Sequence, residues 1–155
     1  ALGRRWQLQA SYTLLDARYL DRFRTCTSAF CPPGSGPIVP GGKRIPGTPR
    51  STVWAALRFG GDAGFGAGLE ASYLARVPVN DFNSEYAPGH GLLSASGGYL
   101  WRPADWQLRV FARVDNLFDR RHVGAVVIND NFGRYYLPGA GRNAFLGFSV
   151  TSAAP

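Results

Sequence analysis

The segment from 65 to 77 constrains the fold more than any other part of the chain. Phe65, Ala67, Leu69, Ala71, Tyr73, Ala75 and Val77 take alternate positions, and all are apolar or aromatic. Between them stand Gly66, Gly68, Glu70, Ser72, Leu74 and Arg76, of which only Leu74 is apolar. A period of two predicts an extended strand with one apolar and one polar face. Its length matters as much as its period. Strands of water-soluble sheets average ~5–6 residues, whereas a tilted strand that crosses a bilayer needs ~9–11.

The same alternation recurs and predicts six strands, at about 6–19, 51–59, 65–77, 93–102, 106–117 and 142–151. In the fifth, Trp106, Leu108, Val110, Ala112 and Val114 share one side; Gln107, Arg109, Arg113 and Asp115 share the other, where Phe111 is the exception. Trp106, Val110, Arg113, Val114 and Leu117 also fall on one helical face, but the Val, Phe and Trp content and the neighbouring strands favour β structure. The connectors alternate in length. Residues 60–64 and 103–105 make tight turns, while 20–50, 80–91 and 120–141 make long loops. Short turns at one end and long loops at the other describe an antiparallel transmembrane β-barrel with a wet interior. Phe59 and Phe65 flank one short turn, and Tyr99, Trp101 and Trp106 the other, where an interfacial aromatic girdle belongs.

Composition narrows the partners. Only 17 % of residues are charged, against ~25 % in ordinary soluble domains. The net charge of +7 comes from arginines dispersed over strands and loops rather than gathered in a stripe. No nucleic-acid partner is expected from that pattern; an anionic lipid surface or an anionic solute in the lumen fits the same charge. No run of about 18 apolar residues predicts a membrane helix. Residue 1 is not Met, so the chain is expected to be a processed product or a piece of a larger polypeptide.

The last third carries further motifs. Asp115-Asn116-Leu117-Phe118-Asp119-Arg120-Arg121-His122-Val123 ends the fifth strand, Asn131-Phe132-Gly133-Arg134-Tyr135-Tyr136 follows, and Pro138-Gly139-Ala140-Gly141-Arg142 leads into Leu146-Gly147-Phe148. Together with Arg44-Ile45-Pro46-Gly47-Thr48-Pro49-Arg50, these resemble the C-terminal end of TonB-dependent outer-membrane receptors. The resemblance implies an all-β fold: about six strands forming the last part of a 22-stranded barrel, with the plug domain and its energy-coupling box not included. It implies uptake of a ferric siderophore or similar chelate, not an enzyme, with no cofactor. It further implies contact with outer-membrane lipid and lipopolysaccharide, coupling to the TonB complex through the plug, recognition by the barrel-assembly machinery, and a periplasmic C-terminus. His122 stands where the family usually has Tyr, and Val150 is followed by Thr-Ser-Ala-Ala-Pro instead of a terminal aromatic.

Several residues carry two readings. Cys26 and Cys31, in the first long loop, form a disulfide in an oxidising compartment or half of a metal site that lacks companion ligands. Asn116, Leu117, Phe118 and Asp119, with Pro138, Gly139, Gly141 and Arg142, shape the chain where it leaves the membrane, or contact ligand. Asn129, Asp130, Asn131, Arg134, Tyr135 and Tyr136 are the candidate ligand clamp, through charge-assisted bonds and stacking, or else a solvated loop. Arg58, Glu70, Arg76, Arg102, Arg109, Arg113 and Asp115 are expected on the lumen side, paired with each other or with the plug. His90 and His122 are read as solitary. Two rival architectures remain: a small self-contained outer-membrane barrel (an adhesin, a structural protein or a lipid-modifying enzyme) and a soluble β-sandwich binding module.

Overall fold

A computed structural model describes residues 5–26, 31–32, 34–103 and 105–152. Its strands are β1 (Trp6–Leu14), β2 (Phe23–Arg24), β3 (Ile38–Val39), β4 (Ser51–Phe59), β5 (Gly64–Leu74), β6 (Val77–Pro78), β7 (Tyr86–Ala87), β8 (His90–Trp101), β9 (Trp106–Asp115), β10 (Val123–Val126), β11 (Tyr136–Pro138) and β12 (Asn143–Ser152). Six long strands form one antiparallel sheet in the order β1-β4-β5-β8-β9-β12. Every neighbour is the next long strand along the chain, so the sheet is a meander. The short pairs β2–β3, β6–β7 and β10–β11 make three small ribbons, one in each long connection.

Register turns the sequence alternation into two continuous surfaces. One row runs Leu8, Leu57, Leu69, Ala95, Val114, Ala144 across all six strands. The adjacent row runs Gln7, Arg58, Gly68, Ser96, Arg113, Phe145. A slip of one residue in any strand would put its apolar set on the polar face, so the pattern itself fixes the pairing. Among the described residues nothing covers the apolar surface: Leu8 is 54 % exposed, Leu69 48 % and Leu146 81 %. A β-sandwich would bury this face against a second sheet, and no second large sheet exists among the described residues. Nor do β1 and β12 pair with each other, so the six strands leave an open sheet and make no closed small barrel.

The buried core lies elsewhere. Of the buried Val and Ala residues among those described, Val39, Val77, Val79 and Ala87 belong to the long connections and only Ala56 to the sheet. Val77, Val79 and Ala87 cluster with Leu74, Val123, Val126 and Tyr135, which packs the second and third connections together at the long-loop end.

Strand ends depart from the sequence reading in ways the backbone explains. The first strand stops at Leu14 rather than near 19. Beyond it, residues 15–19 bond irregularly to 43–50, through Leu15 N–H to Arg50 O (2.8 Å) and Tyr19 N–H to Lys43 O (2.9 Å). The third strand ends at Leu74, and its expected tail becomes the ribbon strand β6. The fourth begins earlier, at His90. The fifth stops at Asp115 because Asn116 takes a left-handed φ of 49°, a conformation Asn tolerates better than most residues. The 120–141 loop is not irregular throughout; it carries the β10–β11 hairpin.

Candidate functional site

The long-loop end gathers the candidate residues, and buried polar side chains hold it together. Asp81 is 5 % exposed. Its carboxylate accepts bonds from the Tyr19 hydroxyl (2.7 Å), the Thr25 hydroxyl (3.1 Å) and Asn129 Nδ2 (2.9 Å), while the Asp81 amide donates to Asn129 Oδ1 (3.0 Å). One carboxylate thus ties all three long connections. Burial, followed by the hydrogen bond and charge of Asp81, pushes the Tyr19 hydroxyl up to about 12. Asn83 adds a second tie: its Oδ1 accepts from Arg44 N–H (2.7 Å) and its Nδ2 donates to Arg44 O (2.8 Å). Cys26 and Cys31 are joined in a disulfide with Cα atoms 6.1 Å apart, inside the first connection.

The clamp candidates separate into three roles. Asn129 is consumed by Asp81, and Tyr135 packs on the loop core. Asp130 shapes the tip by accepting the amides of Arg134 (2.8 Å) and Phe132 (2.9 Å). Those amides, Arg134's first, hold its carboxyl below the usual range. Asn131, Arg134 and Tyr136 remain outward, with the Arg134 guanidinium 5.0 Å from the Phe132 ring centre and Phe132 79 % exposed. Tyr136 donates to Tyr86 O (3.3 Å), and burial with the nearby Glu85 charge raises its hydroxyl. The arrangement offers a cation, an exposed ring and amide groups at the tip of one hairpin, suited to a planar or anionic solute.

The strand-exit motif is a knot of turns. Asn116, 5 % exposed, accepts Arg120 N–H (2.9 Å) and donates to Arg120 O (3.0 Å) and Ala140 O (3.2 Å). Leu117 N–H donates to Leu93 O (2.8 Å), and Phe118 is 77 % exposed. Asp119, also at positive φ, accepts Arg142 N–H (2.8 Å), and a Cβ on Gly141 would sit 3.1 Å from its Oδ1. Pro138 pairs with Val123, and Gly139 N–H donates to His122 O (2.9 Å). His90 and His122 are not solitary. Their rings lie 4.6 Å apart, with His122 pressed on Gly139, where a Cβ would collide with the ring.

On the polar face of the sheet, Arg113 bridges Asp115 (2.7 Å) and Glu70 (3.4 Å). Its reach to Glu70 passes over β8, which the sequence alone did not indicate. Among the described residues no group of three or more His, Cys, Asp or Glu is placed to hold a metal ion. Sequence reasoning missed Asp81, Tyr19, Thr25 and Asn83. The run Asn80-Asp81-Phe82-Asn83 was the available signal, since clustered Asx side chains organise turns.

The TonB-dependent receptor-like β-barrel family model matches residues 1–117. The siderophore receptor PiuA from Acinetobacter baumannii is similar at a TM-score of 0.74 and 19 % identity, covering 97 % of this chain and 20 % of that one. The ferric-catecholate import receptor Fiu from E. coli K12, in its closed form, is similar at 0.65 and 20 % identity, covering 97 % and 19 %; its open form gives 0.61 and 18 % over the same shares. At these identities the likeness is one of fold. The chain spans about a fifth of the length of these receptors.

Proposed function

The chain belongs to the TonB-dependent receptor-like β-barrel family, and from that premise we propose that it supplies wall and outer loops to an outer-membrane importer of ferric siderophores. Members of this family are outer-membrane transporters. The observation that carries the reading is the uncovered apolar surface that crosses all six strands. Only lipid satisfies such a surface while the opposite face holds Arg58, Glu70, Arg109 and Arg113 in water.

The rest follows from direction. The three long connections share one end, so that end faces outside and the two short turns face the periplasm. β12 then runs toward the periplasm. The aromatic pairs support this, because Trp6–Phe59 (4.9 Å) and Trp101–Trp106 (5.5 Å) both lie at the short-turn end. The open edges at β1 and β12 are where further strands of a larger barrel would pair, with the assembly machinery as the agent that joins them. A plug and the TonB complex would drive release of the chelate through the lumen.

The test is binding and uptake by the complete receptor across ferric catecholates, ferric hydroxamates, cobalamin and copper complexes. Preference for an anionic ferric chelate supports the reading; preference for cobalamin removes the siderophore assignment. Arg134→Ala should weaken binding of that chelate by ~10-fold, the loss of about one exposed charge-assisted contact. Unchanged affinity would take Arg134 out of the site.

A further inference from the structure

His90 and His122 meet at the rim of the sheet. His90 opens β8 and pairs across the ladder with Leu74 of β5. His122 stands one residue before β10, at the base of the hairpin whose tip carries Phe132 and Arg134. Their ring centres are 4.6 Å apart, with the planes tilted by 43°. Backbone fixes the His122 ring in two ways. Its Nδ1 donates to Arg120 O (3.1 Å), which leaves Nε2 as the place for a further proton. A Cβ on Gly139 would meet Nε2 first and then Cδ2 and Cε1 equally, so the ring lies flat on the Gly139 backbone. The His90 ring faces the Pro88 carbonyl.

The surroundings offer the pair no counter-charge. The charges that act on His90 are those of His122 and Arg120, and no carboxylate is among them. A cavity of about 200 Å³ lies against His90, and the rest of its lining, drawn from β5 and all three long connections, is apolar or glycine. The carboxylates of neighbouring stretches face elsewhere. Asp119 accepts the Arg142 amide, Glu85 acts on Tyr136, and Asp81 is held by Tyr19, Thr25 and Asn129. Arg76 lies over the Tyr86 ring, while Arg50, Arg121 and Arg142 bring only positive charge. One proton on the pair is tolerated. A second sets two cations in contact beside a third, with water alone to screen them.

We propose that His90 and His122 form an acid-sensitive latch, which holds the base of the β10–β11 hairpin to the sheet while at least one ring is neutral and releases it when both are protonated. The closed state resists the second proton and the open state accepts it, so falling pH favours opening. The window is the ordinary imidazole range, about pH 6.5 and below. Asn129 stays bonded to Asp81 throughout, so the hairpin gains mobility at its base and is not shed. The latch concerns how the hairpin is held, and it is independent of what the hairpin binds.

Amide hydrogen exchange of the complete receptor, with intrinsic rates divided out, tests this at about pH 7.5 and about pH 5. The reporting amides are Leu117, bonded to Leu93 O (2.8 Å), and Gly139, bonded to His122 O (2.9 Å). Their protection should fall ~10-fold on acidification. That of Asn129 and Thr25, which report the Asp81 tie, and of Leu69 in β5 should hold. Two variants remove the second charge independently: His122→Tyr keeps a ring on Gly139, and His90→Gln keeps a polar side chain at the rim. In each, protection near neutral pH should match the wild type and the fall should shrink below ~2-fold. Added salt should shrink it in the wild type as well. Unchanged protection of Leu117 and Gly139 in acid overturns the proposal. So does a fall that persists in either variant, or one that Asn129 and Thr25 share, which would assign the acid effect to Asp81. Loss of protection in both variants already at neutral pH overturns it too, as the mark of a packing role alone.

Discussion

Replacing Asp81 with Ala should loosen the whole long-loop layer without touching the sheet. The side chain is 5 % exposed and accepts three side-chain hydrogen bonds from two different connections. Bonds to an ionised group are each worth about 1.5–3 kcal/mol, and truncation strands the donors that made them. Water entering from the open loop side recovers part of that loss, leaving a net cost of about 3 kcal/mol. By linkage this is ~100-fold in the local opening equilibrium. Amide hydrogen exchange of the complete receptor reads such openings directly. The informative amides are Asn129, bonded to Val79 O (3.0 Å), and Thr25, bonded to Pro37 O (3.1 Å). Their protection should fall roughly 100-fold, while the Leu69 amide in β5 stays as it was. Asp81→Asn keeps one acceptor and should cost roughly a tenth of that factor. A drop below about threefold at both Asn129 and Thr25 would refute the idea that this carboxylate joins the connections.

Two further outcomes follow from the same geometry. Tyr19 should hold its proton until about 12 against a normal 10.0. Because its folded value lies above the unfolded one, its stabilising share is whole below about pH 10 and lost as pH rises through about 12. Ultraviolet titration should show a late tyrosinate that Tyr19→Phe removes, and an unchanged titration curve would contradict the Tyr19–Asp81 bond. Gly98→Ala should destabilise β8–β9 pairing by about 1–3 kcal/mol, since its Cβ would sit 2.6 Å from Val110 O. The folded fraction of the receptor, read by heat-modifiable gel mobility, should drop; wild-type mobility would show that the strands can separate freely there.

What the chain revealed in advance was whatever depends on period. Positions 65–74 and 106–115 alternate so consistently, Leu74 and Phe111 apart, that the two faces follow from the residues alone, because a strand with one greasy side must keep that side together. The aromatic flanks of both short turns were legible for a similar reason. The loop layer was not. Asp81, Tyr19 and Asn129 are 62 and 48 residues apart in their pairs, and no local pattern announces a bond over such a span. Asn129 and Tyr135 looked like ligand contacts because they are polar and aromatic in a long loop, yet one ties the connections and the other fills the loop core. His90 and His122 were read as separate for the same cause: their strand and loop meet only once the meander has formed. Phe111 was visible as an exception to alternation, but Gly147, which it covers, lies in another strand.

The central claim is that the apolar face of the meander meets lipid and the polar face meets water. Nitroxide labels placed one at a time along 65–73 in the membrane-embedded receptor test it most directly. Odd positions should be accessible to oxygen and shielded from a water-soluble nickel chelate, and even positions the reverse, with a period of two throughout. Odd positions shielded from both reagents would mean that the face is packed in a dry interior, and the transporter wall described here would be wrong.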